Sequence, residues 1–265
     1  MTKAKKDHLG NFEGFHATEI YLPVSGVTDA VRDFFRKLRR KTDGHKQKKF
    51  LSVVSWKSLI RRKSVFLQES KKCDGGVRVS ELGVLCQFAR HLKPGSQIFE
   101  IGTCDGRTTL NLALNAPGCC ILTLDLPAGQ ETLFGTDPGE RQYIDKALSG
   151  QKYLACTDRF PDAVGRITQL YGDSAQYDYR PYEGACDMVF VDGSHAYEYV
   201  LKDTETAFRL IKKTGVIVWH DYGVWPGVTH ALEGIECKEK LGLRHIKGTS
   251  LAFWRHNAKT VNKNH

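Results

Sequence analysis

Four residues in the C-terminal half have types and spacing that could do chemistry: Asp192 and His195 in VDGSH, and the adjacent pair His220 and Asp221 in VWHDY. Each pair follows an apolar run, which places it at the end of a strand. Two carboxylates and two imidazoles at one sheet edge can do two jobs. They can take a proton from a hydroxyl group, with an imidazole as base and a neighbouring Asp fixing its tautomer. Alternatively, Asp192 and Asp221 can hold a divalent ion such as Mg²⁺, which lowers the hydroxyl's pKa. A structural role competes with both: His195 could cap a helix beginning at Ala196, and His220 could be a hydrogen-bonded core residue.

A second group surrounds the stretch IFEIGTCDGRTTLNLA, Ile98 to Ala113. An apolar strand pattern runs into a Gly-Thr-Cys-Asp-Gly turn, and a helix pattern follows at once. Gly102 and Gly106 allow a sharp turn and a close ligand, with Thr103 between them. Free N–H groups of the helix start, around Thr108, point to the same place. The spacing G-x-x-x-G lacks the third glycine of a dinucleotide fingerprint. Glu100 and Asp105 flank the loop, and Asp125, followed by Leu126, ends the next strand. Carboxylates this close repel a diphosphate and attract a cationic group. An acid at the position of Asp125 often holds a ribose diol. S-adenosylmethionine, with its adenosine, ammonium and sulfonium, meets these demands.

The elements needed to position both groups are legible as alternating patterns. QIFEI, CILTLDL, RITQLYG, CDMVFVD and GVIVWHD read as strands, and RTTLNLALN and AYEYVLKDTETAFRLIKK as helices. LRHIKG and SLAFWRH read as a closing antiparallel hairpin. Ser80 is a candidate cap for a helix through LGVLCQFARHL, which Lys93-Pro94-Gly95 ends. Residues 127–150 form a polar insertion with a short helix in ERQYIDKAL. Upstream, VTDAVRDFFRKLRR has an amphipathic helix pattern, and FLSVVSWKSLI reads as a second short helix. Alternating βα units imply an α/β, doubly wound, mostly parallel sheet of Rossmann-like type, with seven strands. Ligands in such sheets sit beyond the strands' carboxyl ends.

With 265 residues, 41% of them hydrophobic, the chain can bury one large core beside an extra segment. The net charge of +9 is uneven: residues 1–72 hold 18 Lys+Arg against 7 Asp+Glu, and the rest hold 21 against 23. The expected division is a basic, partly helical arm over 1–78, a ligand-binding domain over 79–257 and a tail over 258–265. A charge run is usually a solvated face, and this arm could also mediate a homo-oligomer or attract an anionic acceptor. The near-neutral domain and the absence of a nucleic-acid motif argue against nucleic acid. No apolar run approaches the ~20 residues of a membrane helix, and no secretory leader is visible, so a cytoplasmic protein is expected. The eight cysteines form no C-x-x-C pair and read as reduced thiols rather than a zinc site.

Taken in order, EIGTCDGRTT, TLDL, LYGDSAQYD, DMVFVDGSHAYEYV and GVIVWHDYGVWPGV resemble the class I S-adenosylmethionine-dependent methyltransferases. Within that class they are similar to the small-molecule O-methyltransferase branch with D-G-x-H and H-D-Y segments. The resemblance spans about residues 80–255. It implies that Glu100, Gly102 and Gly106 surround the methionine part, that Asp125 binds ribose, and that Asp173 and Ser174 reach adenine. It implies a small-molecule hydroxyl acceptor activated near Asp192. Metal-dependent members carry a third oxygen ligand, Asp or Asn, where this chain has Tyr222. Two rivals remain: a non-catalytic nucleotide-binding module that works through its basic arm, and a methyltransferase acting on nucleic acid. An NAD-dependent enzyme is disfavoured by the acidic loop.

Overall fold

The computed structural model describes residues 16–20, 51–69, 76–144 and 148–256. The helix expected over Val27–Arg40, the basic stretch after it, and the tail 258–265 lie outside the described residues, and so does the end of the helix expected in ERQYIDKAL.

The strands are β1 (His16–Ile20), β2 (Ser52–Val54), β3 (Val65–Glu69), β4 (Gln97–Ile101), β5 (Cys120–Asp125), β6 (Ile167–Tyr171), β7 (Cys186–Val191), β8 (Ile211–Trp219), β9 (Arg244–Ile246) and β10 (Ala252–Arg255). Between them run α1 (Trp56–Leu59), α2 (Val79–Ala89), α3 (Arg107–Asn115), α4 (Arg141–Ile144), α5 (Gln151–Leu154), α6 (Pro161–Val164), α7 (Tyr197–Leu210) and α8 (Pro226–Glu239). Among the described residues the main sheet has eight strands in the order β2-β9-β10-β8-β7-β4-β5-β6. The strands from β4 to β8 pair in parallel. The expected terminal hairpin is present: β10 pairs antiparallel with both β8 and β9.

The expectation of seven strands is corrected to eight. The additional strand is β2, which pairs parallel with β9 and comes from the segment read as a short helix. Only Trp56–Leu59 of that segment is helical. The β-branched pair Val53-Val54 favours the extended backbone before it. A second sheet joins β1 and β3.

The strand pleat divides the core into two layers. Ile98, Met188, Phe190, Val216, Val218 and Phe253 face α2 and α3 and pack with Leu82, Leu85, Phe88 and Leu112. Phe99, Ile101, Val189, Val191, Ile217 and Trp219 face α7 and α8 and pack with Val200, Ala207, Leu210 and Leu232. Both faces of the central strands are thus covered, which explains their nearly continuous apolar runs. Leu51, Ile60, Val65, Leu67 and Val77 are buried in the same two layers, so part of the segment expected as a separate arm is core. Of the described cysteines, Cys86, Cys119, Cys156 and Cys186 are buried and Cys104, Cys120 and Cys237 are exposed.

Two asparagines fasten β3 to α3. Asn111 accepts from Gln68 N at 2.8 Å and donates to Gln68 O at 3.0 Å. One helical turn on, Asn115 accepts from Phe66 N at 2.9 Å and donates to Phe66 O at 2.6 Å. A side-chain amide carries the same donor and acceptor as a peptide group, so these two side chains replace a neighbouring strand. Both are buried, and water cannot substitute for them. Asn111→Ala is expected to cost about 2 kcal/mol or more, because it orphans a buried N–H and C=O. The urea unfolding midpoint measures this, and a cost near zero would show that β3 is not held this way.

Candidate active site

The order of strands reverses at β4, whose chain continues to β5 on one side and whose other neighbour is β7. At the carboxyl ends of these strands lies a cavity of about 270 Å³. Its walls come from the β4–α3 turn (Gly102, Thr103, Cys104, Asp105, Thr108), from Asp125 and Leu126, from Asp173 and Ser174, and from Asp192, His195, His220 and Asp221. Every strand end flagged in the sequence therefore opens into one space. Thr132, Thr136, Glu140 and Tyr143 of the insertion close another side, and Gly76 and Val77 contribute from before α2.

Close backbone approach makes the cavity possible. Gly102 has φ +98°, and a Cβ there would stand 2.0 Å from the carbonyl oxygen of Asp192. No side chain fits, so the turns after β4 and β7 can touch only through glycine. Gly227 plays the same part on the other side: a Cβ would meet the carbonyl oxygen of His195 at 2.2 Å. The start of α8 thereby reaches the loop after β7. Trp225, just before α8, stacks on the His195 ring at 4.4 Å with the planes 3° apart.

Two residues expected at the ligand do not line the cavity. Glu100 alternates with Phe99 and Ile101 in β4, so the pleat turns it beneath α3. It is fully buried. It accepts from Thr123 Oγ1 at 2.7 Å and from the Thr109 hydroxyl, and its Oε1 has no partner among the described residues. Gly106 lies behind the loop, against Tyr153 and Gly150. Asp105 lines the cavity, but it is engaged by Lys152 at 2.6 Å and caps Arg107 N at 2.9 Å. Thr103 bonds Thr123 Oγ1 at 2.7 Å and accepts from Gln169 at 2.9 Å. Asp125 accepts from Ser149 Oγ and, at 3.3 Å, from Cys104 N, and burial pushes its pKa up. Asp173 accepts from Leu133 N at 2.7 Å and Ala175 N at 3.0 Å, which fixes the insertion to the loop after β6.

Asp192, His195, His220 and Asp221 meet in one cluster, enlarged by Glu81 and Glu140. His220 Nδ1 is 2.9 Å from Asp192 Oδ1 and 3.2 Å from Asp221 Oδ2, and its Nε2 is 3.2 Å from Glu81 Oε2. His195 Nε2 is 2.8 Å from Asp221 Oδ2, and its Nδ1 is 2.8 Å from Glu140 Oε1. Glu140 also accepts from Ser194 Oγ at 2.9 Å. His195 does not cap α7, whose N-cap is Ala196. Burial works against charge on both imidazoles, but the carboxylates outweigh it. They raise His220 well above its ordinary value and His195 to about 9. Burial likewise opposes charge on Asp221, yet the two imidazoles hold its carboxyl well below the usual range. Asp221 has φ +62°, a left-handed backbone uncommon outside glycine and concentrated at functional sites.

Sequence reasoning missed Glu81, Glu140 and Ser149. Glu81 falls in the first turn of a helix, where acids are ordinary because they suit the helix dipole. The structure also moves that helix's cap from Ser80 to Arg78, which forms a capping box with Glu81. Tyr222 is buried and donates to Glu233 at 2.9 Å, so it does not supply the third oxygen of a metal site. Asp192, His195 and Asp221 do bring one ligand atom each within 4.8 Å of one another, a donor set of two oxygens and one nitrogen. No described helix is long and apolar enough to cross a membrane.

The buried Glu100 gives a pH-dependent prediction. Burial pushes its carboxyl up to about 8, against the pull of Thr109 and Thr123. The folded state therefore binds this proton more tightly than the unfolded chain. Its contribution is most favourable in acid and is lost as pH rises from the ordinary carboxylate range through about 8. Glu100→Gln should remove that loss, so its melting temperature should gain on the parent's between pH 6 and 9. A difference that is flat across this range would show that Glu100 does not titrate there.

Comparison with known proteins agrees with the geometry. Residues 99–222 match the model of a family described as a methyltransferase domain. No curated protein matches the sequence. Among solved structures, the O-methyltransferase NovP is similar at a TM-score of 0.54 and 14% identity, over 66% of this chain and 79% of that one. A protein from Corynebacterium glutamicum is similar at 0.50 and 12%, over 68% and 81%. At such identity the structural likeness speaks for the fold. The stretch similar to that family, residues 99–222, is the one that carries the β4–α3 turn and the Asp–His cluster.

Proposed function

We propose that the protein transfers the methyl group of S-adenosylmethionine to a hydroxyl oxygen of a small molecule and releases S-adenosylhomocysteine. The observation that carries this reading is the meeting of the β4–α3 turn, Asp125 and the Asp–His cluster in one cavity. Asp125 would accept from the ribose hydroxyls in place of, or beside, Ser149. Asp173 and Ser174 would meet the adenine. Gly102, Thr103 and the Asp192 loop would surround the methionine part. Among the described residues six carboxylates line the cavity (Asp105, Asp125, Glu140, Asp173, Asp192 and Asp221), which favours a cationic sulfonium and disfavours a nicotinamide dinucleotide with its diphosphate.

The chemistry is a displacement at carbon, so the protein must supply alignment and an activated oxygen. Asp192, at the cavity wall, would take the hydroxyl proton as the oxygen–carbon bond forms and the sulfur–carbon bond breaks. His195 and His220, each held between carboxylates, are better suited to steadying the developing oxyanion than to serving as the base expected from the sequence. A divalent cation such as Mg²⁺ would be held by Asp192 and Asp221, and His195 would join as third donor only by giving up the proton that its carboxylates hold on it. It would supply Lewis-acid activation of the acceptor. Among the described residues, each cationic side chain at the cavity has a carboxylate beside it: Arg107 with Glu69, Lys152 with Asp105, and the two imidazoles as above. This supports an uncharged hydroxyl acceptor over an anionic one. Trp225 and the insertion would cover it and exclude water.

Calorimetric titration with S-adenosylhomocysteine and, in parallel, NADH tests the reading, with and without Mg²⁺. The first should bind and the second should not. Asp125→Ala should weaken binding by about tenfold or more, since two ribose hydrogen bonds of about 1 kcal/mol each are lost. Absence of S-adenosylhomocysteine binding at millimolar concentration would refute methyl transfer and leave a nucleotide-binding module as the better account. Steep salt dependence of RNA binding would instead favour nucleic acid as acceptor.

A further inference from the structure

We propose that Glu81, on α2, is a positioning residue of the reaction centre: it occupies the Nε2 edge of His220 and so keeps Nδ1 aimed at Asp192 and Asp221. This rests on the methyl-transfer reading. Glu81 lies outside the stretch matched to the methyltransferase domain and is fully buried.

Its carboxylate is fixed from several sides before it meets the imidazole. Ser250 N donates at 2.6 Å and Ser250 Oγ at 2.8 Å, both to Oε1. Arg78 N donates to Oε2 at 3.0 Å, and the Arg78 guanidinium pairs with Oε1. His220 Nε2 then lies 3.2 Å from Oε2, while Nδ1 lies 2.9 Å from Asp192 Oδ1 on the opposite edge. With a carboxylate on one edge a flip of the ring loses one hydrogen bond; with carboxylates on both edges it loses two, so Glu81 adds its own contact to the hold on the ring. The same anchor extends to Asp221. Ser250 O accepts from Tyr222 N at 2.9 Å, so the turn that holds Asp221 at positive φ is tied to the residue that Glu81 grips.

A plain structural role for Glu81, capping α2 and holding the β9–β10 turn, predicts something different. Glu81→Gln keeps the shape and removes the charge. Ser250→Ala removes one contact to Glu81 and leaves its charge beside the ring. Proton NMR of the full chain in water at one fixed pH reads the ring N–H groups directly, since those held by buried carboxylates exchange slowly and resonate far downfield. His220→Gln assigns them by loss. The parent and Ser250→Ala should show both His220 ring N–H signals, and Glu81→Gln should lose or displace the Nε2–H signal. Should Glu81→Gln fail to fold, Glu81→Asp carries the test, because it keeps the charge one methylene further back. The Nε2–H signal should then move while the Nδ1–H signal stays.

Unchanged His220 signals in the Glu81 variant, or equal changes in the Glu81 and Ser250 variants, would overturn the proposal. S-adenosylhomocysteine titration of the same samples separates the two readings. If the parent does not bind it, methyl transfer fails while the spectra still decide whether Glu81 positions His220.

Discussion

Charge that has little access to water must be paired, and this constraint shapes the reaction centre. Glu81, His220, Asp221, His195 and Glu140 follow one another as alternating acids and imidazoles, with Asp192 beside His220. Removing one member would leave its neighbour as an uncompensated buried charge, which costs several kcal/mol. The ladder therefore demands that α2, the loops after β7 and β8, and the insertion arrive at the same place. Elements far apart in sequence are bound to one another by the need to neutralise a row of charges. The two glycines that permit bare backbone contact, Gly102 and Gly227, are the steric side of the same demand.

Much of the fold was legible because its periodicities are simple. Central strands buried on both faces read as apolar runs, and α7 reads from Val200, Ala207 and Leu210 on one face, whereas Ile211, expected on the same face, begins β8. The terminal hairpin showed itself by its turn. β2 was not legible: three residues that pair with a distant strand carry no period, and their extended shape is set by β9. The basic arm expected over 1–78 rests on an excess of Lys and Arg that lies before residue 73. Charge is a property of the surface, whereas Leu51, Val65 and Leu67 are buried in the same core as the strands. Asn111 and Asn115 read as ordinary polar residues in a helix, and only the structure shows that they stand in for a strand.

In the candidate site, residue type at a strand end was a good guide and residue type within a strand was not. Asp125 ends β5, Asp173, Asp192, His220 and Asp221 lie within two residues beyond the ends of β6, β7 and β8, and all reach the cavity. Glu100 sits one position before the end of β4, where the pleat sends it to the other face. Its buried, half-satisfied carboxyl braces Thr109 at the start of α3 and Thr123 on β5. The acid just before the glycine turn thus acts from behind it, on the elements that hold the turn. Glu140 and Ser149 were hidden for a different reason: they belong to an insertion whose path no local pattern dictates.

The protonation of the two imidazoles changes how the site must work. Sequence alone favours histidine as base, because its ordinary pKa is near neutral. Here each ring stands between carboxylates, and His195 is lifted to about 9. A ring that keeps its proton cannot accept another. It can present a fixed positive edge, which helps where negative charge grows on an attacking oxygen. The acidic wall then has two uses that would conflict in open water. In the reaction proposed above it would attract the sulfonium, and toward the hydroxyl it would be masked by the imidazoles that stand against it. Under that proposal the cavity would gather a cationic methyl donor and still tolerate an oxygen nucleophile beside it, because the carboxylates that would draw the donor also keep a compensating cation at the acceptor's side.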